Sequence, residues 1–159
     1  MKRIFLLISC ITFIVLPSCS SNQKEKDYNV LDSIWECDYF KMSTNSNRNL
    51  TETVGNNVIS VIWDIEGTSP IFLNVYYATY YEKQTQLELI EEQEKYGSEG
   101  SSVDRTFVKN GQAYIILKSD NQFKSIKFTA DTFAGDFQYY DSDEEYVLKM
   151  IDSIMFYNQ

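Results

Sequence analysis

The alternation of apolar and polar residues between positions 58 and 66 constrains the fold of this chain more than any other segment. Ile59, Val61 and Trp63 fall on one face of an extended backbone, and the residues between them fall on the other. A period of two is typical of a half-buried strand. Residues 71–81 continue with bulky side chains on both faces, so we predict a second strand there, in the interior of a sheet.

The strongest hairpin signal in the chain is the pair Asn110-Gly111. It lies between two apolar segments, and both residues tolerate the positive φ angles of a two-residue turn. We therefore predict a β-hairpin over residues 106–117. Residues 123–130 alternate again, so the sequence predicts one more strand after the hairpin.

Three other segments carry weaker signals of secondary structure. Residues 33–42 place Trp35 and Tyr39 on one face of an extended backbone, which predicts a single strand. Residues 43–57 are rich in Asn, Ser and Thr, which predicts a loop. Gly135 is expected to interrupt the strand pattern near the C-terminus.

A mid-chain helix is indicated after the second strand. Thr85 and Glu88 have the spacing of a capping box, in which each side chain accepts a hydrogen bond from the other residue's backbone N–H. Gly97 is a natural stop for this helix. The side expected to face the protein carries Leu87, Leu89, Ile90, Gln93 and Tyr96.

A second helix is predicted at the C-terminus. Ser142 and Glu145 repeat the capping-box spacing. The apolar stripe that follows consists of Tyr146, Val147, Met150, Ile151 and Ile154. This order of elements predicts an α+β fold, in which a curved antiparallel sheet carries a mid-chain helix and a C-terminal helix packed on it.

The segment from about residue 70 to residue 157 resembles the PsbP-like family. The resemblance rests on the mid-chain helix, on the hairpin around Asn110-Gly111, and on the helix end Ile151-Asp152-Ser153-Ile154-Met155-Phe156. That family includes photosystem extrinsic proteins and many small bacterial lipoproteins. It implies a PsbP-like sandwich of sheet and helices, and its members are functionally diverse and often non-enzymatic, so the fold alone implies no activity.

The N-terminus resembles the signal of bacterial lipoproteins. Two basic residues precede an apolar run over residues 4–16, and Pro17-Ser18-Cys19 follows. The run is shorter than the ~20 apolar residues of a membrane-spanning helix. The resemblance implies cleavage before Cys19 and lipidation of Cys19. An ordinary secretory signal that contains a cysteine is the alternative.

The chain is therefore predicted to have three parts. Residues 1–18 form the signal peptide, residues 19–29 form a flexible polar tether, and residues 30–159 form a single α+β domain. By the same resemblance, Ser20 differs from the aspartate linked to retention at the inner membrane. We therefore expect a lipid-anchored protein of the cell envelope, at the periplasmic face of the outer membrane.

Composition excludes several classes of function. The chain has no histidine, which removes Ser-His-Asp catalysis and histidine-ligated zinc. Its net charge of −9 becomes −11 when Lys2 and Arg3 leave with the signal, which disfavours nucleic acid and is compatible with a basic protein partner. Cys37 is then the one thiol left beside Cys19, so we expect no internal disulfide.

Tyrosines are the candidate contact residues. The segment of residues 71–81 holds the densest aromatic cluster, and two further tyrosines precede the C-terminal helix. Tyrosine often anchors interfaces, although packing between strands or a solvated loop explains the same residues. The candidate interaction surface consists of Tyr76, Tyr80, Tyr139 and Tyr140.

Acidic residues give weaker candidates. Glu88, Glu91, Glu92 and Glu94 fit either a basic partner or cation, or a solvated helix side. The run from Asp141 to Glu145 is only superficially similar to a calcium loop, because it lacks the glycine and the distal glutamate. We expect no metal site and no cofactor.

These observations favour a non-enzymatic, membrane-anchored lipoprotein that acts as a protein-binding module in the cell envelope. An immunity protein that neutralises a toxin in the periplasm is a more specific alternative. A carrier of a small apolar or sugar ligand is a further alternative. No catalytic constellation is recognised in the sequence, so we expect the protein not to be an enzyme.

Overall fold

The computed structural model describes residues 27–157. The predicted signal peptide, Cys19 and most of the predicted tether lie outside these described residues. Asp27 and Tyr28, at the end of the predicted tether, already contact the fold, since their carbonyl oxygens accept hydrogen bonds from Asn45 and Arg48.

The described chain forms ten strands and two helices. In order they are β1 (Ser33–Glu36), β2 (Phe40–Thr44), β3 (Asn49–Val54), β4 (Val58–Asp64), β5 (Ile71–Tyr77), α1 (Gln86–Tyr96), β6 (Ser101–Lys109), β7 (Gln112–Ser119), β8 (Phe123–Ala130), β9 (Phe133–Tyr140), α2 (Glu144–Asp152) and β10 (Met155–Phe156). A single 3₁₀ turn, Asp141–Asp143, joins β9 to α2.

All the strands pair antiparallel, in two open sheets. The larger sheet has seven strands in the order β3-β4-β5-β9-β8-β7-β6, and the smaller has three in the order β1-β2-β10. Because β9 lies between β5 and β8, it joins the strands before α1 to the strands after it. The predicted α+β architecture of antiparallel sheet and packed helices is confirmed.

The two faces of the larger sheet are covered differently. The inner face packs against the smaller sheet and α2, and its buried side chains include Val61, Leu73, Ile116, Ile126 and Phe137. The opposite side, here called the outer face, carries α1 over the β6–β7 end. There Leu89 of α1 is buried with Ala113, Ile115 and Leu117 of β7. The two helices therefore lie on opposite faces of the sheet.

Several local predictions are confirmed. β4 has Val61 and Trp63 buried on the inner face, as its alternation indicates. The turn between β6 and β7 has φ values of 50° at Asn110 and 75° at Gly111, as a type I′ turn requires. Thr85 caps α1 in a complete capping box.

The N-terminal region differs from the prediction. The predicted strand over residues 33–42 is two strands, because the backbone turns at Cys37, whose N–H donates to Phe40 O at 3.0 Å. The predicted loop over residues 43–57 contains β3. β3 is an edge strand whose six residues are all exposed, and its sequence has no apolar alternation for a pattern to detect.

Gly135 lies inside a strand rather than ending one. It is in β9, opposite Phe128 of β8, and a Cβ atom built on it would lie 2.2 Å from Cε1 of the Phe128 ring. The glycine is therefore the place where an aromatic ring packs onto the backbone. Sequence reasoning missed β9 because this glycine interrupts its pattern.

The start of α2 also differs from the prediction. Asp143 is the N-cap residue and no side chain caps the helix, whereas Ser142 lies in the preceding 3₁₀ turn. The predicted Ser142–Glu145 capping box does not form. Four residues of the predicted apolar stripe, Tyr146, Val147, Met150 and Ile151, are buried on α2, and the fifth, Ile154, is buried just after the helix ends.

Candidate binding face

Part of the outer face has no helix packed on it within the described residues, and the strand register arranges its side chains in rows. The central row, here called the polar row, crosses five neighbouring strands. Within it, Ser60 Oγ donates to Asn74 Oδ1 at 2.8 Å. The members of the polar row are Thr53, Ser60, Asn74, Asp136 and Lys127.

Larger side chains flank the polar row on both sides. Ile62 and Phe72 pair across β4 and β5 on one flank, and Val58 and Tyr76 pair on the other. Ile62, Phe72 and Val58 are half-buried, and Tyr76 is 39% exposed. An antiparallel sheet that leaves apolar groups on its second face presents contact area to a partner.

A cavity of about 270 Å³ opens where α1 meets this uncovered face. We call it the α1 cavity. Leu89 and Ile115 line its apolar part. Its other lining side chains include Tyr76, Tyr81, Glu92, Tyr96, Lys127 and Asp136.

Asp136 is the most unusual group in this region. Its Oδ2 accepts a hydrogen bond from Gln138 Nε2 at 2.8 Å. Its Oδ1 is buried, and no group within residues 27–157 donates a hydrogen bond to it. Burial raises the pKa of Asp136, and the Gln138 hydrogen bond and the Lys127 charge offset only part of that effect.

The neighbouring tyrosines are kept in the phenol form. Burial raises the pKa of Tyr76, and the nearby charge of Asp136 raises it further. Burial also raises the pKa of Tyr81, whose ring centroid lies 4.9 Å from that of Tyr80. Both side chains are therefore neutral phenols at ordinary pH.

The structure distributes the four predicted contact tyrosines unevenly. Tyr76 and Tyr140 are on the outer face, with exposed fractions of 39% and 41%. Tyr140 is six residues along β9 from Ala134, the neighbour of Tyr76, so the two tyrosines lie roughly 20 Å apart. Tyr80, in the segment after β5, is 77% exposed.

Tyr139 requires a correction, because it has no exposed surface. Its side chain points to the inner face, since neighbouring residues of a strand alternate between faces. Burial strongly raises its pKa. It is therefore a core residue, and only its neighbour Tyr140 is accessible.

The acidic candidates do not converge on one point. Glu88 accepts from Thr85 in the α1 capping box. In the run from Asp141 to Glu145, Asp143 pairs with Arg48, Glu145 pairs with Lys149, and Asp141 pairs with Lys124. Within residues 27–157, no group of three acidic or cysteine side chains is arranged to hold a metal ion.

Cys37 is a free, half-buried thiol in the turn between β1 and β2. Burial raises its pKa, so it remains a neutral thiol at ordinary pH. A neutral thiol is a weak nucleophile, and Cys37 lies away from the outer face.

Sequence reasoning identified the tyrosines of this region but missed Asp136 and the polar row. The row depends on the pairing of β5 with β9, which are about 60 residues apart in the chain, so no local pattern reveals it. The spacing of Asp136 and Gln138 on one face of a strand was the single local signal, and Gly135 obscured it.

No helix within the described residues 27–157 is long and apolar enough to cross a membrane.

Comparison with known proteins gives distant structural matches. No family model matches the sequence, and no curated protein matches it. A crystal structure from Bacteroides thetaiotaomicron VPI-5482 is similar over 82% of this chain, with 11% sequence identity and a TM-score of 0.48. The chain spans 50% of the length of that protein.

Proposed function

We propose that this protein is a non-enzymatic, lipid-anchored binding module of the cell envelope, and that its outer face receives a protein with a basic surface. The observation that carries the proposal is the uncovered part of the outer face. There half-exposed apolar groups surround a polar row, and interfaces combine such contact area with a few placed polar groups.

The charge of the protein supports the choice of partner. The outer face carries the acidic residues Asp64 and Asp136 and the basic residue Lys127. The adjoining helix α1 contains four glutamates and one lysine, Lys95, so this side of the protein is acidic. A basic partner would be attracted to this side, because complementary charge steers association and disfavours like-charged competitors.

The anchor is the second part of the proposal. Lipid on Cys19 would hold the domain at the periplasmic face of the outer membrane, by a tether that ends where Asp27 contacts the fold. Confinement to a membrane raises the effective concentration against a partner in the same membrane. The proposed kinship with PsbP-like lipoproteins fits this arrangement.

Site-specific photo-crosslinking in the native cells tests the proposed interface. A photoreactive residue replaces Phe72 on the outer face, and the matched control replaces Ile34, an exposed apolar residue on the smaller sheet. We expect one stoichiometric protein adduct from position 72 and none from position 34. Equal crosslinking from both positions, or none from position 72, would refute the proposed interface.

Two further variants define the contact. Phe72→Arg should abolish the adduct formed from a photoreactive residue at position 140, because it adds positive charge where a basic partner is expected. Ile34→Arg should leave that adduct intact. If the captured protein is a toxin, the module is an immunity protein.

The lipid anchor has its own test. Cys19→Ser should release the protein from the membrane fraction, and a variant that stayed there would contradict the anchor.

A further inference from the structure

One of the side chains that line the α1 cavity, Asp136, is an acid whose hydrogen bonding is incomplete. Asp136 belongs to an interior strand, and its Oδ1 faces no donor within residues 27–157. Lys127 lies opposite Asp136 in the β8–β9 pair, but its side chain is exposed and no hydrogen bond from it reaches Oδ1. A buried carboxylate oxygen without a hydrogen-bond donor is costly, and a donor group on a bound ligand would satisfy it.

The walls of the cavity complement this carboxylate. Tyr76, Tyr81 and Tyr96 present aromatic rings, and Leu89 with Ile115 adds aliphatic surface. Aromatic faces attract cations and also pack against apolar groups. A ligand that fits these walls is an organic molecule with an apolar body.

The size and charge of the cavity narrow the ligand further. Its volume of about 270 Å³ is near the lower end for small-molecule sites, which restricts the ligand to a few carbon atoms or one ring. Two of its lining residues, Asp136 and Glu92, are acidic and one, Lys127, is basic. The oxygen without a donor belongs to an acid, and Lys127 does not hydrogen-bond to it, so a cationic donor would complement it.

We propose that the α1 cavity binds a small organic cation, an amine or guanidinium on a short apolar body, with Asp136 Oδ1 as its counter-ion. The tyrosine rings then pack against the apolar body and the cationic group donates to the free carboxylate oxygen. This proposal goes beyond the protein interface, with which it shares Tyr76 and Asp136, because it requires a small molecule inside the cavity and no protein partner.

Saturation-transfer difference NMR tests the proposal with the full chain purified in detergent micelles. The cationic probes are benzylamine and agmatine, and benzyl alcohol is the neutral match for benzylamine. We expect saturation transfer to at least one cation and at least about tenfold weaker binding of the alcohol, because charge-assisted hydrogen bonds are the stronger ones. Empty micelles give the background signal.

Asp136→Asn is the decisive variant, because it removes the charge with little change in shape. It should weaken binding of the cation about tenfold or more. Asp64→Asn is the matched control, since Asp64 is on the same face but does not line the cavity. Binding to the native chain should also weaken as the pH falls through the raised pKa of Asp136.

Three results would overturn the proposal. They are no saturation transfer to either cation, equal binding of benzylamine and benzyl alcohol, and unchanged binding in Asp136→Asn. Thermal unfolding of both variants confirms that each is folded. Glucose serves as an additional neutral probe, and its binding in place of the cations would assign the cavity to carbohydrate instead.

Discussion

The guanidinium of Arg48 lies 4.1 Å from the centroid of the Tyr146 ring. The same group pairs with Asp143 at 3.3 Å, and Nε donates to the carbonyl oxygen of Tyr28 at 3.2 Å. The Arg48 side chain is 2% exposed. One buried cation therefore connects the N-terminal segment, the turn before β3 and the start of α2.

Arg48→Met should lower the free energy of unfolding by about 2–4 kcal/mol, because it breaks a buried ion pair and removes the stacking on Tyr146. Urea denaturation measures the loss. Arg105→Met is the control, since the Arg105 side chain is half exposed and its ion pairs contribute about 1 kcal/mol or less. Equal losses in the two variants would contradict the role of Arg48.

Asp136→Asn should make the protein more stable at neutral pH. The pKa of Asp136 is raised in the folded state, so the folded protein binds this proton more tightly than the unfolded chain does. The contribution of Asp136 to stability is thus greatest below its unfolded pKa and falls as the pH rises through its folded pKa. The side chain of asparagine does not ionise, so the variant keeps its stability as the pH rises.

Chemical denaturation of the native chain and of Asp136→Asn between pH 3 and pH 7 checks this prediction. The difference in unfolding free energy should grow in favour of the variant as the pH rises. A variant that is less stable at pH 7 would show that the carboxylate has a partner in the folded protein.

Gly135→Ala should lower the free energy of unfolding by about 1–3 kcal/mol, because the new methyl group overlaps the Phe128 ring. Equilibrium unfolding in urea gives the change. Gly55→Ala is the control, because the nearest atom to its added Cβ is 3.2 Å away, in the side chain of Val58. The double variant Gly135→Ala with Phe128→Leu should lose less unfolding free energy than the two single variants lose in sum. Strict additivity of the losses would argue against this contact.

Thr85→Ala should cost about 1 kcal/mol, because Thr85 accepts a hydrogen bond from the backbone N–H of Glu88 at the start of α1. Ser142→Ala should be nearly neutral, since Ser142 does not cap α2. Thermal unfolding compares the two. A larger effect at Ser142 than at Thr85 would restore the capping role that the sequence predicts for Ser142.

Signals that depend on near neighbours were predictable from the sequence. The Asn110-Gly111 turn, the capping box of α1 and the apolar stripe of α2 each require residues only a few positions apart. They were therefore visible without knowledge of the fold.

The parts that were missed depend on distant contacts. β9 was missed because Gly135 interrupts its sequence pattern, and the Phe128 ring that packs on Gly135 belongs to another strand. β3 was missed because its pairing with β4 needs no apolar side chain. Tyr139 and Tyr140 are adjacent in sequence, and only the register of β9 decides which of them faces the core.

The position of β9 has a consequence for biosynthesis. β3, β4 and β5 pair with one another, as do β6, β7 and β8, but the two groups join only through residues 133–140. β2 likewise gains its second neighbour only from residues 155–156. A polypeptide made from its N-terminus thus stays without its complete core until residues 155–156 have been added.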